Sequence, residues 1–228
     1  MARIHPSWSE SASTSAEYRT LWNQIRRCEL LPGQVITAHQ AAAQLNIGLL
    51  PARNALVRLA QDGLVQPVPR RGYRVTPLTQ KSVDDFFLTW RLIAPEIARR
   101  GLLDASHEQV RLLHRLLMKF ESLPDLPPQN RSICFVEYAE AMFHVLAVAT
   151  TNGRLLETYR CMLGEMARIW SLVLADAAGP KALIAAHPGW CAAIGNRDGD
   201  RAADVVHCFL DLTHAPARRL ARTTESVP

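Results

Sequence analysis

Apolar residues recur at helical spacing along most of this chain and at strand spacing in one short stretch only. Tyr18, Leu21, Trp22 and Ile25 fall three and four apart and predict a first amphipathic helix over Ala16–Cys28. Pro32-Gly33 breaks the pattern, and Thr37 is placed to cap a short second helix over 38–45. Asn46, Ile47 and Gly48 make the turn. A third helix is predicted from Pro51, where a first-turn proline loses no hydrogen bond, to just before Gly63. Ala52, Ala55, Leu56 and Leu59 form its inner face, leaving Arg53, Asn54, Val57, Arg58 and Gln61 outside or on the flank. Two strand-like runs follow, Leu64–Val68 and Tyr73–Val75, around a tip of Pro69, Arg70, Arg71 and Gly72.

Beyond residue 77 strand alternation disappears. The periodicity predicts helices over 80–102, 106–122, 130–150, 153–177, 181–196 and 199–222, with a proline-bearing connection at Leu123–Gln129 and a junction at Leu78-Thr79-Gln80. The fold class is therefore mainly α. Residues 15–77 read as an N-terminal winged helix-turn-helix with a small β-hairpin wing. Residues 78–222 read as a C-terminal all-helical antiparallel bundle, long enough to bury a core of its own. Residues 1–14, with serine at 7, 9, 11 and 13, read as a flexible arm, and 223–228 as a frayed tail.

Charge sharpens this picture. Residues 1–77 hold nine arginines against four acidic groups, which accounts for the whole formal charge of +5 and leaves the bundle near neutral. A basic head on a neutral body suits a polyanion, although a solvated basic face would give the same count. Helix order and basic hairpin together favour DNA: such a module lays one helix in the major groove while the hairpin rides on the backbone or minor groove. Arg53 and Asn54 sit in the first turn of the third helix, where arginine can take guanine bidentately and asparagine can take adenine.

The segments ELLPGQVI, the helix around Ala41–Leu45, PARNALVRLAQDGLV and RRGYRV resemble the winged-helix domain of the GntR family of bacterial transcription regulators. The resemblance implies that Arg53 contacts DNA, with Arg58 on the same helix, and that Arg70, Arg71 and Gly72 form the wing tip. One stretch departs from the family, which usually opens the recognition helix with Ser-Arg-Thr-Pro. Here Gly48, Leu49, Leu50 and Pro51 stand instead, so the serine cap and the adjacent arginine are missing. The expectation is DNA binding at an altered site, with Leu49 and Leu50 available to touch a thymine methyl.

In the bundle, Val136, Glu140, Phe143 and Ala147 make an apolar stripe that Glu140 interrupts, and His144 follows Glu140 by one turn. A carboxylate and an imidazole on an inner face need a partner, a ligand or a metal. This half resembles the FCD effector domain of FadR-like GntR regulators through WRLIAPEIARR, EAMFHVLAVATTNGRLL and AAHPGWCAAIGNRDGDRAADVV. The resemblance implies a homodimer and a small effector, a carboxylate or similar metabolite, with Arg91, Glu140, His144 and His187 around it. Many such domains hold a divalent metal with one Asp and three His. Glu140 takes the Asp position, and His144 and His187 the first two His. The fourth position is Phe209, which reads as core on a stripe Ala202, Val205, Phe209, Leu212, while His207, between Asp204 and Asp211, reads as solvated. A metal on the remaining three would be Zn, with Ni or Mn as alternatives. Pro188 biases His187 away from helical geometry. Arg91 could clamp a carboxylate or pair with Glu96 or a neighbouring helix. Asn152 is placed to cap a helix.

Five scattered cysteines without metal spacing and no signal peptide fit a reduced cytoplasm. The longest apolar runs are short of a membrane span. No phosphate loop, nucleophile elbow or Cys–His pair is present. The expectation is a dimeric regulator, not an enzyme, that binds a pseudo-palindromic duplex and answers to a small effector. The alternatives are an effector-blind dimeric DNA-binding protein and a metal-dependent enzyme with Glu140 as base.

Overall fold

The computed structural model describes residues 15–123, 126, 128–175 and 179–225, so the expected arm at 1–14 lies outside the described residues. In chain order the elements are α1 (Ala16–Arg26), β1 (Val35–Ile36), α2 (Ala38–Leu45), α3 (Leu49–Gln61), β2 (Val65–Val68), β3 (Gly72–Val75), α4 (Gln80–Asp104), α5 (His107–Glu121), α6 (Pro128–Ala149), α7 (Gly153–Ala175), α8 (Gly179–Asn196) and α9 (Gly199–Glu225). They fall into two compact units, one running through Thr79 with the chain from Ala221, the other Gln80–Leu220.

In the first unit, Tyr18, Leu21 and Ile25 of α1 are buried against Ala52, Ala55, Leu56 and Leu59 of α3 and Ala41 of α2. Thr37 caps α2 reciprocally: Gln40 N donates to Thr37 Oγ1 at 3.1 Å and Thr37 N to Gln40 Oε1 at 2.8 Å. Helix α3 starts two residues before the predicted Pro51, with Gly48 as its N-cap. Pro51 therefore stands third in the helix, where its N–H would still have no intrahelical acceptor, so the tolerance for proline extends that far. At the other end Gly63 adopts a φ of +73°, Gly63 N donates to Ala60 O at 3.1 Å and Leu64 N to Leu59 O at 2.9 Å, which closes the helix as expected.

The hairpin β2–β3 is joined by a third strand that periodicity could not find, because β1 has only two residues. The sheet order is β1-β3-β2, all antiparallel, with Ile36 opposite Tyr73 and Val68 opposite Gly72. Gly72 belongs to β3 rather than to the tip. Its φ is +103° and a Cβ there would lie 2.7 Å from the Ile36 carbonyl oxygen, so the wing can close against β1 only with glycine.

The second unit is a helical bundle whose core is rich in rings: Phe86, Phe87, Trp90, Tyr159 and Trp170 are all buried. Ser106 and Gln109 form a capping box on α5, and Asn152 Oδ1 accepts from Arg154 N at 3.0 Å and Leu155 N at 3.2 Å at the start of α7. Helix α9 continues to Glu225, into the segment expected to fray. Pro188 lies inside α8, as the helix expected over 181–196 requires, and the bias it was expected to place on His187 is overridden: the burial of Trp190, Ala193 and Ile194 just beyond it outweighs one lost backbone bond. The inward stripe of α9 is Ala202, Val206, Leu210, Thr213 and Ala217, one residue round from the predicted one, and Leu212 is 47% exposed. Both stripes fit a helical period, and only packing chooses between them. Contrary to the expectation that every apolar run falls short of a membrane span, Asn130–Ala149 within α6 is long and apolar enough by length and composition to cross one, and half of it is buried inside the protein.

Candidate DNA-binding face and ligand cavity

Helix α3 buries its alanine and leucine face and leaves Leu49, Leu50, Arg53, Asn54, Val57 and Gln61 exposed. Leu50, the most open of these leucines, is 67% exposed and Val57 is 41% exposed. Leu50, Arg53, Asn54 and Val57 are spaced to lie along one side of the helix, mixing two apolar contacts with two hydrogen-bonding ones. Gly48 supplies no side-chain cap, so the family's serine has no substitute here. Arg58 departs from its expected place. It is half-buried with its guanidinium 4.9 Å over the Tyr18 ring, and Tyr18 in turn donates its hydroxyl to Asp62 Oδ2 at 2.5 Å. Burial and the Asp62 bond hold the Tyr18 phenol well above its ordinary pKa, so it remains a donor. Arg58 thus ties α3 to α1.

On the wing, Arg70 takes a φ of +61° and Arg71 N donates to Val68 O at 3.0 Å, turning the chain so that Arg70, Arg71 and Arg74 are exposed. Not every arginine of the head adds to its outer charge: Arg26 is buried, its guanidinium 4.5 Å over Trp22.

In the bundle a cavity of about 390 Å³ opens between α4, α5, α6, α7, α8 and α9. Its walls include Trp90, Phe143, Trp170, Trp190 and Phe209, and its charged or titratable lining is Glu121, Arg131 and His187. Phe209 meets Trp170 edge to face at 5.1 Å and Phe135 at 6.3 Å. His187 Nε2 lies 3.3 Å from Leu117 O and 3.9 Å from Glu121 Oε1, and Cys191 Sγ is 3.7 Å from both ring nitrogens, a Cys–His pair one helical turn apart where none was expected. Burial, then the Glu121 charge, pushes the Cys191 thiol above its ordinary pKa.

Two family models match the chain: "FCD domain" over residues 85–212 and "Bacterial regulatory proteins, gntR family" over residues 15–75. The chain is an FCD-type member of the gntR family. It is 24% identical over 190 residues to the HTH-type transcriptional repressor RspR of Escherichia coli K12, covering 80% of this chain and 79% of that protein. It is 26% identical over 155 residues to the repressor GlaR of the same strain, covering 66% and 68%. Among solved structures, E. coli McbR/YncC matches with a TM-score of 0.71 at 16% identity, over 91% of this chain and 96% of that one, a likeness of fold. The family and its relatives are transcription regulators, not enzymes, which sets aside Glu140 as a catalytic base.

In this FCD domain the four expected effector residues do not converge. Only His187 lines the cavity. Arg91, on α4, is ion-paired with Asp211 on α9, and Glu96 is taken by Arg99 and Arg100. Glu140 is buried, and its backbone carbonyl accepts the Tyr159 hydroxyl at 2.7 Å. His144 is half-buried with its ring 6.4 Å from that of Tyr159; burial, and secondarily Arg160, lowers its pKa, so it is neutral at neutral pH. The metal set read from the family fits no better. Among the described residues, the three-donor group with all ligand atoms within 4.8 Å of one another is Glu121, His187 and Cys191, not Glu140, His144 and His187. Phe209, at the chain position left for a fourth ligand, packs against Trp170 and Phe135. His207 is exposed beside Asp204 and Asp211, as expected. Trp170, Trp190 and Arg131 were not singled out in the sequence, because no spacing rule marks a cavity assembled from six helices.

Proposed function

We propose that two copies of this chain read a pseudo-palindromic duplex, each laying α3 in a major groove with its wing on the flanking backbone, and that a small molecule in the bundle cavity sets the affinity. The observation that carries this reading is the exposed α3 side of Leu50, Arg53, Asn54 and Val57 beside a wing bearing Arg70, Arg71 and Arg74. Arg53 and Asn54 carry the hydrogen-bonding groups that suit base edges, while the wing arginines suit phosphate. Leu50 and Val57 favour thymine methyls over additional phosphates. Two-fold pairing of heads requires half-sites one helical turn or a multiple of it apart. The effector acts through differential affinity for two arrangements of the heads, and linkage makes DNA alter effector affinity by the same factor. The protein works in the cytoplasm, where its DNA is, and no metal at Glu140, His144 and His187 is needed for this action.

The test is selection of bound duplexes from a random pool, followed by binding of Arg53→Ala and Arg71→Ala at two salt concentrations. The expected outcome is an enriched palindrome. Arg53→Ala relaxes its sequence preference by about 1–3 kcal/mol at one position. Arg71→Ala weakens all sequences alike and lowers the salt slope by about one. Salt-sensitive binding with no enriched sequence defeats the operator reading.

A further inference from the structure

The cavity is unusual in its walls. Seven aromatic residues line it, among them Trp90, Phe135, Phe143, Trp170, Trp190 and Phe209, out of fifteen Phe, Trp and Tyr in the whole chain. Their rings meet at open angles rather than stacking shut: Trp90 and Phe143 at 5.4 Å and 50°, Phe143 and Trp190 at 6.3 Å and 85°, Trp170 and Phe209 at 5.1 Å and 63°. Rings packed on one another in this way line the space with both edges and faces, against which a flat π-system can make tilted or offset contact. A volume of about 390 Å³ is between two and three times that of a dry cavity that accepts benzene, about 150 Å³, so the space suits two fused rings.

The polar side of the lining is narrow. Glu121 closes α5 and Arg131 lies in the first turns of α6, so both flank the α5–α6 connection, and His187 Nε2 stands 3.9 Å from Glu121. Arg131 is the permanently charged cation of the lining, half-buried and held by its own bond to Leu126 O at 3.0 Å. A guanidinium in a partly dry setting prefers a carboxylate to a neutral oxygen. The apolar walls in turn exclude a small, fully hydrophilic diacid, whose second carboxylate would be desolvated against rings.

We infer that this cavity is a receptor for a bicyclic aromatic monocarboxylate, with the rings among Trp90, Phe143, Trp170 and Phe209 and the carboxylate at Arg131, bound without a metal. This rests on the reading of the cavity as the effector site and names the chemical class that it takes. Glu121, an anion in the same lining, repels a carboxylate, so the acid is assigned to Arg131. Ala139, in the wall and 8% exposed, is the point where added bulk would fill the space.

The experiment is calorimetric titration of the full chain with 2-naphthoate, 2-naphthol and succinate, each with a chelator and with added zinc. The expected result is saturable binding of 2-naphthoate, one per chain, unchanged by chelator. Succinate shows none in either condition. Ala139→Trp abolishes 2-naphthoate binding, and Arg131→Gln weakens it about tenfold or more while changing 2-naphthol little. Circular dichroism of both variants checks that they fold, and the wild-type titrations stand whether they do or not. No saturable 2-naphthoate binding by the folded wild type, or zinc-dependent succinate binding, overturns the assignment, and equal binding of 2-naphthol and 2-naphthoate overturns its anionic half. Operator affinity measured in the same mixtures separates the two readings. If 2-naphthoate binds but leaves operator affinity unchanged, the cavity assignment holds and the effector-controlled switch fails.

Discussion

Arg58 illustrates how one side chain on the helix proposed to read DNA can serve the fold instead. With its guanidinium on the Tyr18 ring and Asp62 accepting the Tyr18 hydroxyl, it belongs to a three-residue tie between α1 and α3. Arg58→Ala is expected to cost about 0.5–1 kcal/mol in urea unfolding and to leave the selected operator sequence unchanged. Tyr18→Phe is expected to cost about 1 kcal/mol, because Asp62 loses its donor at a partly wet site. A changed operator sequence with Arg58→Ala would return that residue to the DNA face. His144 gives a pH prediction. Its folded pKa lies below the ordinary 6.5, mainly through burial, so the unfolded chain takes the proton first as pH falls. Its contribution to stability is full above that value and is lost on acidification. Thermal unfolding of the wild type should therefore lose more Tm between about pH 7 and pH 5.5 than His144→Gln does.

At the scale of elements, the wing depends on a backbone condition more than on its charges. Gly72 sits at a φ of +103° with the Ile36 carbonyl 2.7 Å from where a Cβ would be, so Gly72→Ala must push β3 off β1. The expected outcome is a loss of about 1–3 kcal/mol and a displaced Arg70–Arg71 tip. Operator binding then falls at every sequence, as with Arg71→Ala, whereas a variant of unchanged stability and affinity would show that the wing tolerates the shift. Helix α3 shows the converse. Its ends follow local chemistry, Gly48 before and Gly63 after, and Pro51 is accepted in third place because the first turn has no acceptor to lose.

For the whole molecule, the family and the plan of head and bundle were legible in the chain, since each rests on local signals. Helical period, the capping pairs Thr37–Gln40 and Ser106–Gln109, and the glycine at 63 all act within a few residues of themselves. So does the inner face Ala52, Ala55, Leu56 and Leu59, whose spacing leaves a single side to bury. The two-residue strand β1 was not legible, because a strand that short exists only through its pairing with β3. Nor was the phase of α9, where Ala202–Val205–Phe209–Leu212 and Ala202–Val206–Leu210–Thr213 are equally periodic and the neighbouring helices choose the second. The site residues divide the same way. By itself the sequence determined that Leu49, Leu50, Arg53, Asn54 and Val57 of α3 and Arg70 and Arg71 of the wing are exposed, because that follows from helix phase and turn chemistry, whereas the half-burial of Arg58 over Tyr18 came from packing against α1. Tertiary structure alone decided that Arg91 meets Asp211 and that His187 meets Glu121 and Cys191. It alone drew Trp90, Phe143, Trp170, Trp190 and Phe209 around one space, since that convergence depends on how separate helices pack and no local spacing encodes it.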